Sequence, residues 1–361
     1  MASLMFMGLD EIDTPYTAID LARLTANLER HRLRCQTQAI ASRPHAKTHK
    51  IPELAKLQLE HGAIGITLAT IGEAEVFVSA GIDDIFLAYP LWLTPHKADR
   101  LGALTKDARI TIGVDSLASL ENSALTLGPT AVEFMIEIDS GHHRSGTSPN
   151  DVVALAQALA DHGLVFAGVF TYPGHSYNPE LKDQASVDEV VALTTACDAL
   201  ESAGFEVKVK SGGSTPSSQS TSDYLSETRA GVYTLGDAQQ LELGTCGLDN
   251  IALSVITTVV SKRGSTVIVD AGSKMMAADK APWATGHGRV LTNIDARITA
   301  MSEHHATVVY PDEHSAPALG ELIQVVPNHV CNAVNLVDQV AVIEDGGIVQ
   351  WWSVAARGKN S

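Results

Sequence analysis

What this sequence has little of narrows its function first. Aromatic residues make up only 5% of 361 positions, and there are four cysteines, Cys35, Cys197, Cys246 and Cys331, with no CxxC spacing. That density excludes a disulfide scaffold and points to a reducing compartment, with most of the thiols buried and inert. Basic residues are scarce: 25 Lys and Arg stand against 42 Asp and Glu, for a formal net charge of −17. Nucleic-acid binders need a basic surface to displace counterions from phosphates, so no nucleic-acid partner is expected. No apolar run approaches the roughly eighteen residues of a membrane span. The start, MASLMFMGLDEIDTP, has no basic n-region and only a short apolar run. The expectation is therefore a cytoplasmic protein with no membrane partner and no signal peptide.

What is present is a chain that is 45% hydrophobic with 28 glycines, the mix of an α/β enzyme with a sizeable core. From residue 14 to 245, strand-like runs alternate with helical ones. The strand candidates are QAIASRPHAK, AIGITLAT, DIFLAYP, RITIGVD, VEFMIEID, LVFAGVFTY, FEVKVKSGG and RAGVYTLGD. Between them, stretches such as IPELAKLQLEHG and NDVVALAQALADHG carry apolar residues at three-to-four spacing and end on a Gly, as capped amphipathic helices do. Eight such pairs predict an α/β fold, a (β/α)8 TIM-like barrel, with a doubly wound sheet as the alternative. After residue 246 the pattern becomes strands separated by Gly, Pro, Asn and Asp, including an EDGG hairpin signal. This predicts a second, mostly β C-terminal domain over 246–361, joined by 1–13.

In such a barrel the chemistry gathers at the C-terminal ends of the strands. RPHAKTHK, residues 43–50, sits at the first of these ends. Alternation along a strand puts Arg43, His45 and Lys47 on one face, pointing inward. A lysine there loses hydration and has cations beside it, which lowers its pKa and suits it to form an imine with an aldehyde. An exposed lysine at a strand end is the plain alternative. Lys50 has the other parity and is expected to be replaceable. KSGGSTPSS follows the seventh strand candidate. Gly213 lets backbone approach an anion and Ser214 and Thr215 add hydroxyl donors, so the loop suits a phosphate, or is simply a Gly/Ser connector. The loops after strands seven and eight are where barrels hold phosphate. Arg144, between two glycines, could contact an anionic oxygen. Tyr172, His175 and Tyr177 could stack on a ring or serve as acid and base. His329 and Cys331 lie two apart, so on a strand both point one way. An imidazole with a thiolate suits a divalent metal, though two ligands need water or substrate to complete the set.

Taken in order, RPHAKTHK, ATIGEAEVF, EIDSGHHRSG, YPGHSY, SGGSTP, RAGVYTLGD, DAGSKMMAAD, MSEHHATV and PNHVCNAVNL resemble one family. It is the fold-type III pyridoxal-phosphate enzymes of the D-threonine aldolase and D-serine dehydratase group, related to alanine racemase. The resemblance implies pyridoxal 5'-phosphate held by a barrel, with Lys47 as the Schiff-base lysine. Ser214, Thr215 and the backbone of Gly213, Gly231 and Val232 would hold the phosphate. His45, Arg144, Tyr172, Tyr177 and Tyr233 would lie around the cofactor, and His175 would be catalytic. His329 and Cys331 would bind Mn, Mg or Zn. The family's aldolases look like His-x-Asp at that pair and its dehydratases like His-x-Cys, while the loops SGHHRSG, YPGHSY and SGGSTP look closer to the aldolases. The expected activity is a lyase on a small β-hydroxy-D-amino acid, most closely a D-threonine aldolase, with dehydratase-type elimination next. A non-catalytic pyridoxal-phosphate carrier is the third reading. A homodimer with shared active sites is also implied.

Overall fold

The computed structural model describes residues 7–219 and 224–361. Residues 1–6, expected in the second domain, and 220–223, the end of the Ser-rich stretch, lie outside the described residues. The chain divides into two compact units. One comprises residues 32–47, 54–231 and 359–361; the other comprises the residues up to 31, 48–53 and 232–358.

The first unit is the barrel. Its eight strands are Ala41–Ser42, Ile66–Leu68, Asp84–Pro90, Arg109–Val114, Glu133–Glu137, Val165–Phe170, Val209–Gly212 and Glu227–Thr228. All neighbours run parallel, and the eighth strand pairs with the first. Parallel bridges Ser42 to Ala63 and His45 to Thr67 close the remaining seam. The helices start where the sequence offers caps. Thr70 accepts from Glu73 N ahead of Ile71–Ser79, and Thr94 accepts from Lys97 N with Pro95 in the first turn of Pro95–Leu104, each satisfying an orphan amide of the first turn.

Large apolar side chains fill the barrel axis. Phe86 and Phe170 meet edge to face at 5.0 Å and pack with Ala88 and Met135. A Cβ on Gly113 would lie 2.7 Å from the Phe170 ring, so only glycine leaves that ring its room. Arg43 is not beside Lys47 in function, contrary to the strand-parity reading. Its guanidinium reaches Glu227 at 3.0 Å and Asp84 at 2.5 Å. Those are the first residues of the eighth and third strands, so Arg43 is spent on a buried ion cluster at the opposite end of the barrel.

The second unit is built on a mixed ten-stranded sheet. Tyr16–Asp20 runs antiparallel to Leu253–Arg263 and parallel to Gln339–Glu344. These ladders bring the residues up to 31 into the β unit, a larger N-terminal share than 1–13. The EDGG hairpin forms as read: Gln339–Glu344 turns into Gly347–Ser353 through Asp345 and Gly346, with φ of +50 and +80, as a two-residue hairpin loop requires. Its core holds Val255, Val267, Val269, Ile298, Val308 and Val325, all buried. ARITAMSEHHATVVY is two strands, Asn293–Met301 and Ala306–Val309. Among the described residues no helix is long and apolar enough to cross a membrane.

Candidate active site

The first barrel strand is shorter than its sequence suggests. Extended backbone continues to His45, whose N–H donates to Ala230 O at 3.2 Å. The chain then tightens into a 3-10 turn, Ala46–Thr48. Lys47 therefore sits on a turn, not on a strand face, and the parity that separated it from Lys50 does not apply. Lys50 is itself buried, at φ +57, with Nζ donating to Asn335 Oδ1 at 2.8 Å. Its ammonium is engaged within the β unit instead of standing exposed beyond a strand.

Lys47, His45 and Arg144 line one cavity of about 420 Å³ in the barrel unit, with Tyr89, Asp115 and Ser145. Tyr172 borders them: Lys47 Nζ is 6.0 Å and Arg144 Cζ 4.8 Å from its ring centroid. His142 meets the same ring edge-on at 5.4 Å. Burial, together with the charges of Lys47 and Arg229, holds His45 well below the usual imidazole range, so it is neutral near pH 7. Burial, with the charge of Arg144 beside it, also lowers His142.

The seventh and eighth strands end in a cradle. Gly213 has φ +79, and a Cβ there would lie 2.5 Å from Thr228 Oγ1. Ser211 Oγ, Thr228 Oγ1 and Arg229 Nε are buried without a hydrogen-bond partner, a costly state that a bound anion relieves. Ser214 Oγ bonds Ser176 Oγ at 2.8 Å, and Ser217 Oγ accepts from Ser214 N at 2.8 Å. Ser214 and Thr215 are buried. The Gly213 amide is directed elsewhere, donating to Glu189 Oε1 at 2.6 Å. Gly213 contributes space, then, rather than an N–H. Burial pushes the Glu189 carboxyl up to about 7. Arg229 donates to Thr171 O and lies 5.6 and 5.3 Å over the Phe86 and Phe170 rings. The eighth strand ends at Thr228, earlier than RAGVYTLGD suggests. Gly231 closes the barrel unit, and Val232 and Tyr233 lie in a 3-10 turn of the β unit, where Tyr233 stacks on His31 at 3.9 Å. Tyr177 and His175 share the 3-10 turn Gly174–Tyr177. His175 Nε2 is 3.2 Å from Asp188 Oδ2.

His329 and Cys331, in the β unit, are not on a strand. The strand Leu322–Pro327 stops, and His329 becomes the N-cap residue of the helix Val330–Val334, with Cys331 in its first turn. Asp237 anchors that turn, since its Oδ2 accepts from Val330 N at 3.2 Å. His329 Nδ1 faces Asp279 Oδ2 at 2.8 Å, and Cys331 Sγ lies 3.6 Å from Thr48 Oγ1. Burial opposes charge on His329, but the Cys331 thiolate, Asp279 and Asp237 outweigh it and push the imidazole up to about 11. Among the described residues no cluster of three or more His, Cys, Asp or Glu forms a metal cage. A donor pair with a carboxylate behind the histidine does fit a metal that draws its remaining ligands from water or substrate.

The sequence reading missed His142, Asp188, Glu189 and Asp279. Asp279 closes the quoted stretch DAGSKMMAAD, but nothing in sequence pairs it with a histidine fifty positions on.

The chain matches the family model for the alanine racemase N-terminal domain over residues 19–239 and that of a serine dehydratase domain over 252–343. It is 34% identical to a D-threonine aldolase of Arthrobacter sp, covering 97% of this chain and 94% of that one. It is 32% identical to the D-threo-3-hydroxyaspartate dehydratase of Delftia sp. (strain HT23), covering 94% and 97%. Among solved structures, D-threonine aldolase from Filomicrobium marinum superposes with a TM-score of 0.87 at 27% identity, covering 98% of both chains.

Proposed function

The chain belongs to the fold-type III pyridoxal-phosphate enzymes of the D-threonine aldolase and D-serine dehydratase group, and on that footing we propose that it is a lyase that cleaves β-hydroxy-D-amino acids to glycine and an aldehyde. The observation that carries the aldol reading is a second base besides Lys47. His175 is nearly buried, lies in the turn after the sixth barrel strand, and keeps Nδ1 without a partner. Retro-aldol cleavage needs a group to take the β-hydroxyl proton, whereas elimination begins with the α-proton, which Lys47 alone can remove.

Lys47 offers the amine that holds the cofactor aldehyde. Ser211, Thr228 and Ser214 would supply hydroxyls to its phosphate, with Gly213 keeping the approach open. The Arg144 guanidinium and the Tyr172 ring bound the cavity, and His45, being neutral, adds no charge to it. When bound, pyridoxal phosphate accepts into its ring the electron pair released at Cα. His175 removes the β-hydroxyl proton, the Cα–Cβ bond breaks to release the aldehyde, and a proton delivered to Cα completes glycine. A divalent metal on His329 and Cys331 would act as a Lewis acid on that hydroxyl. The nitrogen and sulfur donors favour Zn over Mn or Mg.

Cys331 supports a second reading, because the His-x-Cys pair resembles that of the family's dehydratases. There Lys47 takes the α-proton and the hydroxyl leaves, giving a 2-oxo acid and ammonia. Incubation with D-threonine and D-serine separates the two. Glycine with acetaldehyde is the expected result; 2-oxobutanoate or pyruvate without glycine would sink the aldolase reading. Bound cofactor with no turnover of either substrate would favour a carrier. The reading also carries a cytoplasmic homodimer with shared active sites, which light scattering on the purified protein and cell fractionation check.

A further inference from the structure

We propose that Asp188, braced by Gln184, is the positioning residue that fixes His175 in the tautomer whose Nε2 carries the proton and whose Nδ1 is free to accept one. The inference rests on the reading of His175 as the base and adds which atom works and what holds it. His175 lies in the turn Gly174–Tyr177, against the helix Lys182–Ser202. From that helix Asp188 Oδ2 stands 3.2 Å from His175 Nε2. Gln184, one turn earlier, donates from Nε2 to Asp188 Oδ1 at 2.8 Å, so the carboxylate is held by both oxygens. A carboxylate accepts only, so the facing Nε2 must carry the hydrogen. The other nitrogen, Nδ1, is then bare, and it is buried with no hydrogen-bond partner.

The loop after the fifth strand comes close to the ring. Gly141 has φ +110, and a Cβ there would lie 3.5 Å from His175 Cε1. His142, on the same loop, is electrostatically coupled to His175, and its own lowered pKa keeps it neutral near pH 7. When Nδ1 takes the substrate proton, the positive ring is stabilised by Asp188, the arrangement by which a carboxylate behind an imidazole supports general-base catalysis. Both partners come from the helix that begins five residues after YPGHSY, just outside that motif.

The test uses holoenzyme with ¹⁵N-labelled histidine. Long-range ¹H–¹⁵N correlation reads the His175 tautomer, assigned by its loss in His175→Gln, and kcat and KM for D-threonine are measured against pH. Wild type is expected to show protonated Nε2 and bare Nδ1. In Asp188→Asn an amide donor faces Nε2, so the proton should move to Nδ1. There kcat should fall by about 10²-fold with KM nearly unchanged. Asp188→Glu should recover part of the loss, and Gln184→Ala should show a smaller drop with the tautomer kept. An unchanged tautomer and profile in Asp188→Asn, with His175→Gln inactive, would overturn the proposal alone. Full turnover by His175→Gln would instead overturn the reading of His175 as the base.

Discussion

The barrel cradle and the His329–Cys331 pair offer opposite kinds of polarity. At the cradle, hydroxyls and one guanidinium nitrogen are buried with no protein partner: Ser211 Oγ, Thr228 Oγ1 and Arg229 Nε. At the pair, the donor side chains already have neighbours, Asp279 for His329, Thr48 for Cys331 and Asp237 for the helix start, although Asp279 Oδ1 and Asn328 Oδ1 are buried without a partner. Unanswered buried donors cost stability until a ligand arrives, so the cradle is expected to be tied to cofactor occupancy. An answered pair is preorganised, so its outer carboxylate should tune affinity without deciding whether the protein folds.

The sharpest break of that comparison is Lys47→Ala. Activity should fall on the order of 10³-fold or more, and the visible absorbance of bound pyridoxal phosphate should be lost, while metal content measured by elemental analysis stays near wild type. Loss of both together would mean the two sites are not separable.

Glu189 comes next. Its carboxyl is raised to about 7 by burial, so the folded state holds a proton that the unfolded chain, with an ordinary value near 4.5, has released. The folded state therefore binds more protons between those values, and this group's contribution to stability declines as pH rises through the window. Glu189→Gln should remove the decline, a difference of about 3 kcal/mol at most by pH 7.5. Thermal unfolding from pH 4.5 to 7.5 reads it; parallel curves for the two proteins would refute it. On the other side, Asp279→Asn should weaken metal binding about 10- to 100-fold by calorimetry on metal-stripped protein, with cofactor absorbance intact. The smallest effect is expected for Gly213→Ala. The added methyl meets Thr228 Oγ1 and a positive φ, costing about 1–2 kcal/mol and weakening cofactor retention in dialysis more than it shifts unfolding.

Much of this was legible in the residue order. Seven of the eight barrel runs were visible because parallel strands covered on both faces read as continuous apolar segments, whereas the eighth candidate, RAGVYTLGD, lies just past its strand, Glu227–Thr228; the EDGG turn was visible because only certain residues tolerate its backbone. The residue types at the strand ends were legible for the same reason: they interrupt apolar runs. What alternation could not give was where a strand stops. Lys47 lies in a turn, and His329 and Cys331 open a short helix, so side chains that parity put on one face are placed by caps and turns instead. Partnerships were the other gap. Arg43 finds Asp84 and Glu227, Gly213 finds Glu189, and His329 finds Asp279. Each joins residues tens of positions apart or more, and only the fold brings them together.

The strand Tyr16–Asp20 bears on how the chain acquires its shape in time. It lies between partners from Leu253–Arg263 and Gln339–Glu344, so it emerges early in synthesis and waits for most of the chain before either edge is paired. Contacts of such sequence separation fold slowly, and an apolar strand with open edges is prone to wrong pairing meanwhile. Because residues 48–53, directly after Lys47, also belong to the β unit, the backbone that carries the lysine is tethered on one side to the part of the molecule that completes last.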